Sequence, residues 1–287
     1  MKQTFIIRNN EKHLLLFFAG WGMDETPFRH IHPAECDWMI CYDYRSLEFD
    51  TTLIQAYSKI TLIAWSMGVW AASQVMKQYP SLPVSQSTAI NGTLYPIHET
   101  EGITPSVFEG TLQGLNEQTL LKFQRRMCGS AADYKVFQTM APKRPVEELK
   151  EELAAIRQQY LSSLPSEFVW QTAIIGDNDR IFLPDHQEQA WSNKAAKNCG
   201  YYTIQWDVDS LDWKNYGVEP IVNTVLNHKS LRNGSIILMH NGAKYTAQAL
   251  PKVIEGLQEK GFQIVPISKL IYKDNYHMEP DGSQVKD

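Results

Sequence analysis

Short apolar runs alternate along the chain with stretches in which apolar residues recur every three or four positions. The runs predict strands at 13–20, 38–44, 60–66 and 87–91, and again at 169–175, 201–206, 235–240 and 263–267. Helical patterns separate them, the order that yields a mainly parallel sheet covered by helices, so the expected fold class is α/β. From 104 to 163 the pattern is helical only. Leu149, Leu153, Ile156 and Tyr160 fall at helical spacing behind Pro145, a residue suited to a helix start. A helical insertion after several strands predicts a cap over the sheet, with plain scaffold helices as the alternative. The polar stretch 274–287, which contains Pro280 and Gly282, predicts a frayed tail.

Composition narrows this picture only a little. A chain of 287 residues can bury one large core or two modest ones, and 43% hydrophobic with 21% charged residues is ordinary for a soluble protein. A net charge of −5 argues against nucleic acid as the main partner. The first ten residues lack a signal-peptide pattern, and the longest early apolar run, 14–19, is far too short to span a bilayer. Cys36, Cys41, Cys128 and Cys199 show neither metal-type spacing nor a disulfide framework, which suits free thiols in a reducing compartment. A cytoplasmic protein without membrane contact is expected.

Candidate chemistry centres on Ser66. The apolar run ending at Trp65 predicts a strand, and the pattern from Gly68 onward predicts a helix, so Ser66 falls where the strand turns sharply into the helix. Such a turn exposes the hydroxyl above the sheet and aims backbone N–H groups at the same point. Ala64 and Gly68 are small enough to let strand and helix approach closely, although glycine is more usual at the first of these. Upstream, Leu14 to Ala19 predicts a strand ending in the turn Gly20-Trp21-Gly22. In this architecture that turn offers the Trp21 N–H, and the residue after the nucleophile offers the Met67 N–H, as oxyanion donors. Asp179, in the loop after the 169–175 strand, is the candidate acid, with Asp177 as competitor.

With these features the stretch from 13 to about 191 resembles the short, BioG-type pimeloyl-ACP methyl ester esterases of biotin synthesis. The resemblance rests on Phe17-Phe-Ala-Gly-Trp-Gly22, Ile40-Cys-Tyr-Asp-Tyr44, Ala64-Trp-Ser-Met-Gly-Val-Trp70, Ala89-Ile-Asn-Gly92, Val107-Phe-Glu-Gly-Thr-Leu112, Lys122-Phe-Gln-Arg-Arg126 with Cys128-Gly129, and Asp179-Arg-Ile-Phe182. It implies hydrolysis of a methyl ester on an acyl chain borne by acyl carrier protein. It assigns Ser66 as nucleophile, Asp179 as acid, and Trp21 with Met67 as oxyanion donors. Lys122, Arg125 and Arg126 then become candidate contacts for an acidic carrier protein, against the alternative of a solvated basic helix face.

The resemblance implies a histidine roughly 25 residues beyond the acid. Counting from Asp179 leads to the neighbourhood of Ile204, where there is none; His186 comes too early, and His228 and His240 too late. From about 193 the chain is instead similar to the C-terminal part of NodB-type polysaccharide deacetylases. The matching residues are Ala196-Lys-Asn-Cys-Gly-Tyr-Tyr202, Trp206-Asp-Val-Asp-Ser-Leu-Asp-Trp213, Ser235-Ile-Ile-Leu-Met-His240, Ala249-Leu-Pro-Lys-Val-Ile-Glu-Gly256 and Ile264-Val-Pro-Ile-Ser268. This second resemblance implies an acid role for His240, supported by Asp212, with Trp213 lining a sugar groove. The catalytic aspartate and the Asp-His-His metal set of that family have no counterpart here, so no metal and no other cofactor is expected.

The chain therefore reads as two incomplete hydrolases joined near 191–193. An α/β-hydrolase-like part covers 1–191, with its cap at about 104–163. A partial deacetylase-like segment of β-α-β-α-β pattern covers 193–273, and a tail follows. The expected function is an esterase-derived hydrolase of low activity. The alternatives are an inactive acyl- or carrier-binding chain and, disfavoured by the missing ligands, a polysaccharide deacetylase.

Overall fold

The structure, a computed structural model, describes residues 1–199, 202, 204–273, 275–278 and 284–286. The chain divides into two compact units, Met1–Gly200 and Tyr201–Asp287.

In the first unit six strands form one sheet. They are β1 (Lys2–Ile7), β2 (His13–Phe18), β3 (Asp37–Tyr42), β4 (Lys59–Trp65), β5 (Val84–Ile90) and β6 (Thr172–Ile174), in the order β1-β3-β2-β4-β5-β6. β1 runs antiparallel to β3 and every other pair is parallel. All six residues of β3 are buried, as expected of a strand covered on both faces. β1 was not among the expected strands. Lys2, Gln3 and Thr4 break the apolar signal, which an edge strand tolerates because one side of it is open. At the other edge β6 is shorter than expected, and all three of its residues are exposed.

Helix α1 (Met67–Gln78) follows β4 directly and buries Val69, Trp70, Ala71, Ala72, Val75 and Met76. Between β5 and β6 the chain is helical, as its periodicity predicts: α2 (Pro105–Gly114), α3 (Glu117–Met127), α4 (Ala131–Thr139) and α5 (Val146–Ser162). α5 buries Leu149, Glu152, Leu153 and Ile156, whereas α3 and α4 bury no residue fully. Helix α6 (Pro184–Asn198) continues unbroken through 191–193, and its Trp191 packs on the core of this unit.

The second unit is sparser. A parallel pair, β7 (Val208–Asp209) and β8 (Ile237–Leu238), packs with α7 (Val218–Leu226) and α8 (Thr246–Glu259) around Val208, Val225, Val253 and Leu257. Gly256 lets the helices meet, since a Cβ there would lie 2.4 Å from Leu226 Cδ1. Three sequence expectations are corrected here. The stretch 263–267 forms no strand: Pro266 has no N–H for a ladder, and a short helix α9 (Ile267–Leu270) begins directly after it. The tail is not wholly frayed, because β9 (Tyr276–Met278) and β10 (Gln284–Lys286) pair antiparallel. The Gln284 side chain reinforces this pair, accepting from Tyr272 N–H at 2.7 Å and donating to the Tyr272 carbonyl at 3.0 Å. The strand expected at 201–206 lies partly outside the described residues, and 204–206 form none. No helix among the described residues is long and apolar enough to cross a membrane.

Candidate active site

Ser66 stands between β4 and α1 with φ 58° and ψ −130°, a conformation that L-residues rarely adopt and that carries about 1–3 kcal/mol of strain. Its neighbours hold it there. Its N–H donates to the Ile90 carbonyl at 2.9 Å, and its own carbonyl accepts from Val69 N–H at 3.0 Å. Two glycines make the required room. A Cβ on Gly92 would lie 2.3 Å from the Ser66 carbonyl oxygen, and one on Gly68 would lie 2.4 Å from the Phe18 carbonyl oxygen. The elbow is thus wedged between the ends of β2 and β5.

The Gly20-Trp21-Gly22 turn lies against this elbow, since a Cβ on Gly20 would approach Ser66 Cβ to 3.2 Å. Neither the Trp21 N–H nor the Met67 N–H donates to any other group among the described residues, although both residues are buried. Two free N–H groups beside the half-buried Ser66 hydroxyl are what an oxyanion needs.

Helix α5 holds the turn. The Trp21 indole donates to the Leu149 carbonyl at 2.9 Å and meets Phe123 of α3 edge-on, with ring centroids 5.1 Å apart. Glu152, fully buried, accepts from Gly22 N–H at 3.4 Å, Tyr44 N–H at 2.9 Å and the Arg144 guanidinium at 2.6 Å. Arg144 also pairs with Asp43 at 3.2 Å. Burial pushes the Glu152 carboxyl upward, and Arg144 with the Tyr44 N–H works against that rise. Sequence reasoning missed Glu152. The signal was its place among Leu149, Leu153 and Ile156: a carboxylate on the apolar stripe of a helix has to be paired.

Removing this carboxylate would leave two buried N–H groups and part of a buried guanidinium unpaired. Glu152→Ala is therefore expected to destabilise the first unit by about 3–5 kcal/mol. Urea denaturation followed by tryptophan fluorescence checks this, and a change below about 1 kcal/mol would remove Glu152 from the turn's support.

Asp179 lies in the loop between β6 and α6. Its Oδ1 accepts from Ile181 N–H at 2.8 Å and Phe182 N–H at 3.1 Å, and its Oδ2 from the Gln187 amide at 3.3 Å. Burial raises its carboxyl above the usual range despite these donors. Asp177 is exposed and meets only Asn178. Of the two competing carboxylates, Asp179 is the one built into the fold.

No imidazole reaches Ser66 among the described contacts, and the Ser66 hydroxyl makes no hydrogen bond among the described residues. His13, at the opposite end of β2, bonds the Thr61 hydroxyl at 2.9 Å. His186, in the first turn of α6, spends Nδ1 on the Gly102 carbonyl at 2.7 Å. The Nδ1 of His98 accepts from the N–H groups of Thr100 and Glu101. His30 and His32 are exposed.

In the second unit Asp212 and His240 form a tight pair. The His240 ring meets Asp212 Oδ1 at 2.7 Å, while Asp212 Oδ2 accepts from His240 N–H at 2.8 Å and the Thr246 hydroxyl at 2.6 Å. Burial works to raise this carboxyl, but the Thr246 hydroxyl, the His240 N–H and its ring outweigh it and hold it at about 2. Trp213, half exposed, has the Lys214 ammonium 5.2 Å from its ring. The donor set does not fit a metal: no three His, Cys, Asp or Glu side chains converge among the described residues.

Residues 1–204 match the family described as pimeloyl-ACP methyl esterase BioG. The crystal structure of BioG from Haemophilus influenzae is 38% identical, with a TM-score of 0.62, over 68% of this chain and 89% of that one. A malonyl-[acyl-carrier protein] O-methyltransferase from Bacteroides fragilis is 62% identical over 196 residues, which are 68% of this chain. The match spans only 40% of that relative's length. A peptidoglycan-N-acetylglucosamine deacetylase from Bacillus cereus is 40% identical over 83 residues, 27% of this chain and 38% of that protein.

Proposed function

The chain belongs to the BioG family of pimeloyl-ACP methyl esterases, and from this premise we propose that its first unit is a serine carboxylic-ester hydrolase of low activity acting on an acyl ester borne by acyl carrier protein. Ser66 attacks the ester carbonyl, the N–H groups of Trp21 and Met67 receive the oxyanion, and Asp179 is the acid left without its histidine. The observation that carries this reading is the strained Ser66 elbow pressed against Gly20, with both N–H groups free. The carrier is the partner, and Lys122, Arg125 and Arg126 are its first contacts. A cytoplasmic setting suits a substrate of this kind.

The reading is tested with p-nitrophenyl esters of short acids and with a pimeloyl methyl ester, each with and without a chelator. Slow turnover that is indifferent to chelation is expected. Activity that vanishes with chelator and returns with zinc would move the chemistry to the deacetylase-like unit instead. A second reading, an inactive acyl- or carrier-binding chain, is favoured by the unpartnered Ser66 hydroxyl. Carrier binding without any turnover would select it.

A further inference from the structure

The turn that carries the Trp21 N–H is held bond by bond. Met23 N–H donates to the Gly20 carbonyl at 3.3 Å, which closes a four-residue turn. Gly22 stands third in it at φ 77°, the position at which a type II turn demands a positive φ. The Trp21 N–H shares a rigid peptide plane with the Gly20 carbonyl and points the opposite way. Whatever fixes Gly20, Gly22 and Met23 therefore fixes the direction of this oxyanion donor.

The fixing groups come from one short stretch, 143–152. Lys143 N–H donates to Asp24 Oδ2 at 2.8 Å, the Arg144 guanidinium to the Met23 carbonyl at 3.3 Å, and Gly22 N–H to Glu152 Oε2 at 3.4 Å. With the Trp21 indole on the Leu149 carbonyl, Trp21, Gly22, Met23 and Asp24 each hold a bond to this stretch. Glu152 also reaches the start of the turn through Tyr44, whose N–H donates to Glu152 Oε1 and whose hydroxyl donates to the Ala19 carbonyl at 2.6 Å. The cap helices add apolar contacts: Phe123 meets Trp21, and Met127 and Phe137 pack against the cluster that contains Met23. Apolar packing is non-directional, so the polar bonds set the orientation.

Stability alone does not account for a charge pair in this place. Glu152 lies on the apolar stripe of α5 beside Leu149, Leu153 and Ile156. A well-packed hydrophobic residue is commonly worth at least as much to folding as a buried ion pair. What the pair adds is direction and neutrality. Glu152 bears on the residue next to Trp21, where an unbalanced carboxylate would repel a developing oxyanion, and the Arg144 guanidinium at 2.6 Å offsets it.

We propose that Arg144 and Glu152 are positioning residues for ester hydrolysis. As a neutral pair acting through the Met23 carbonyl and the Gly22 N–H, they aim the Trp21 N–H at the oxyanion that the esterase reading, on which this point rests, places beside Ser66. Both act through the turn and not on the substrate.

Three measurements on the full chain test this: kcat and KM for a p-nitrophenyl ester, the rate of Ser66 labelling by a fluorophosphonate, and amide hydrogen exchange over 19–24. Glu152→Gln keeps the shape of the side chain but turns an NH2 toward one of the two N–H groups it served. In that variant kcat and the labelling rate are expected to fall at least about tenfold at unchanged KM, the scale of a donor displaced by up to an ångström. Exchange over 19–24 is expected to quicken. Arg144→Met is expected to lose more than Arg144→Met combined with Glu152→Gln, because the double variant leaves no unbalanced charge. Ile156→Val, on the same helix and fully buried, lowers stability without touching the turn and is expected to keep the parent kcat and labelling rate. An equal loss in Ile156→Val, a double variant worse than both singles, or undiminished kcat and labelling in folded Glu152→Gln overturns the inference. If Glu152→Gln does not fold, Arg144→Lys decides in its place: its ammonium keeps the charge but lacks the fork, so an intermediate loss supports the pair and no loss overturns it. A parent chain that neither labels nor hydrolyses strikes the esterase reading by itself. Exchange then still judges the turn: quickening in these variants upholds its positioning by the pair, and unchanged exchange overturns it.

Discussion

Ser66→Ala is expected to remove ester hydrolysis and labelling by a fluorophosphonate together, down to the level of buffer. The expectation rests on where the backbone has been forced. Ser66 keeps φ at 58° only because its N–H is tied to Ile90, its carbonyl to Val69, and two glycines leave space on either side. A fold that meets these demands around one hydroxyl, with two unused N–H groups beside it, concentrates reactivity at that oxygen. A companion variant separates the hydroxyl from its setting. Gly92→Ala retains Ser66 but would place a methyl 2.3 Å from the Ser66 carbonyl oxygen, so the elbow must move. Labelling in that variant is expected to fall by more than about tenfold, the effect of displacing a nucleophile by a fraction of an ångström to an ångström. Hydrolysis that survives Ser66→Ala undiminished would place any ester chemistry elsewhere in the chain.

Much of this site is legible in the sequence. The run Leu14 to Phe18 and the run ending at Trp65 bury one face fully and the other in part, so their hydrophobicity announces central strands directly. Gly68 and Gly92 stand where backbone must pass close to backbone, and Gly20 lies against the Ser66 and Trp65 side chains; the strand-to-helix turn marks Gly68, and the turn after β2 marks Gly20. β1 was hidden because an edge strand pairs through its backbone and leaves its side chains free to be polar. Asp179 could not be separated from Asp177 by sequence, because the difference lies in three donors supplied by Ile181, Phe182 and Gln187. The strands of the second unit are shorter than their composition predicts. Apolar residues at 235–240 and 263–267 promise two full strands, but only Ile237–Leu238 finds a partner, in the equally short β7. A strand needs a neighbour as well as a composition.

The largest change is expected from supplying a base. If the chain beyond Trp191 is replaced by an esterase-type ending that carries the histidine, ester turnover is expected to rise by roughly three to six orders of magnitude, the range over which a triad enzyme falls when its imidazole is removed. The first unit is prepared for such an ending in two places. β6 forms the edge of the sheet with Thr172, Ala173 and Ile174 exposed, so its outer side is open to a further strand. Beside Asp179, Gln187 is fully buried and its Oε1 lacks any donor among the described residues, while its amide contact to Asp179 Oδ2 is long at 3.3 Å. An imidazole arriving from a strand beyond β6 would compete for Asp179 Oδ2 with that one long contact only. Proton transfer from Ser66 requires that ring within about 3 Å, and no described histidine contact involves Ser66. The comparison is made on a pimeloyl methyl ester, with the hybrid and the present chain at equal concentrations of folded protein and fluorophosphonate labelling measured on separate aliquots. A hybrid that labels normally but hydrolyses no faster would show that something other than the base limits the reaction. Turnover by the present chain at an ordinary enzyme rate would show that one of its own histidines already serves Ser66.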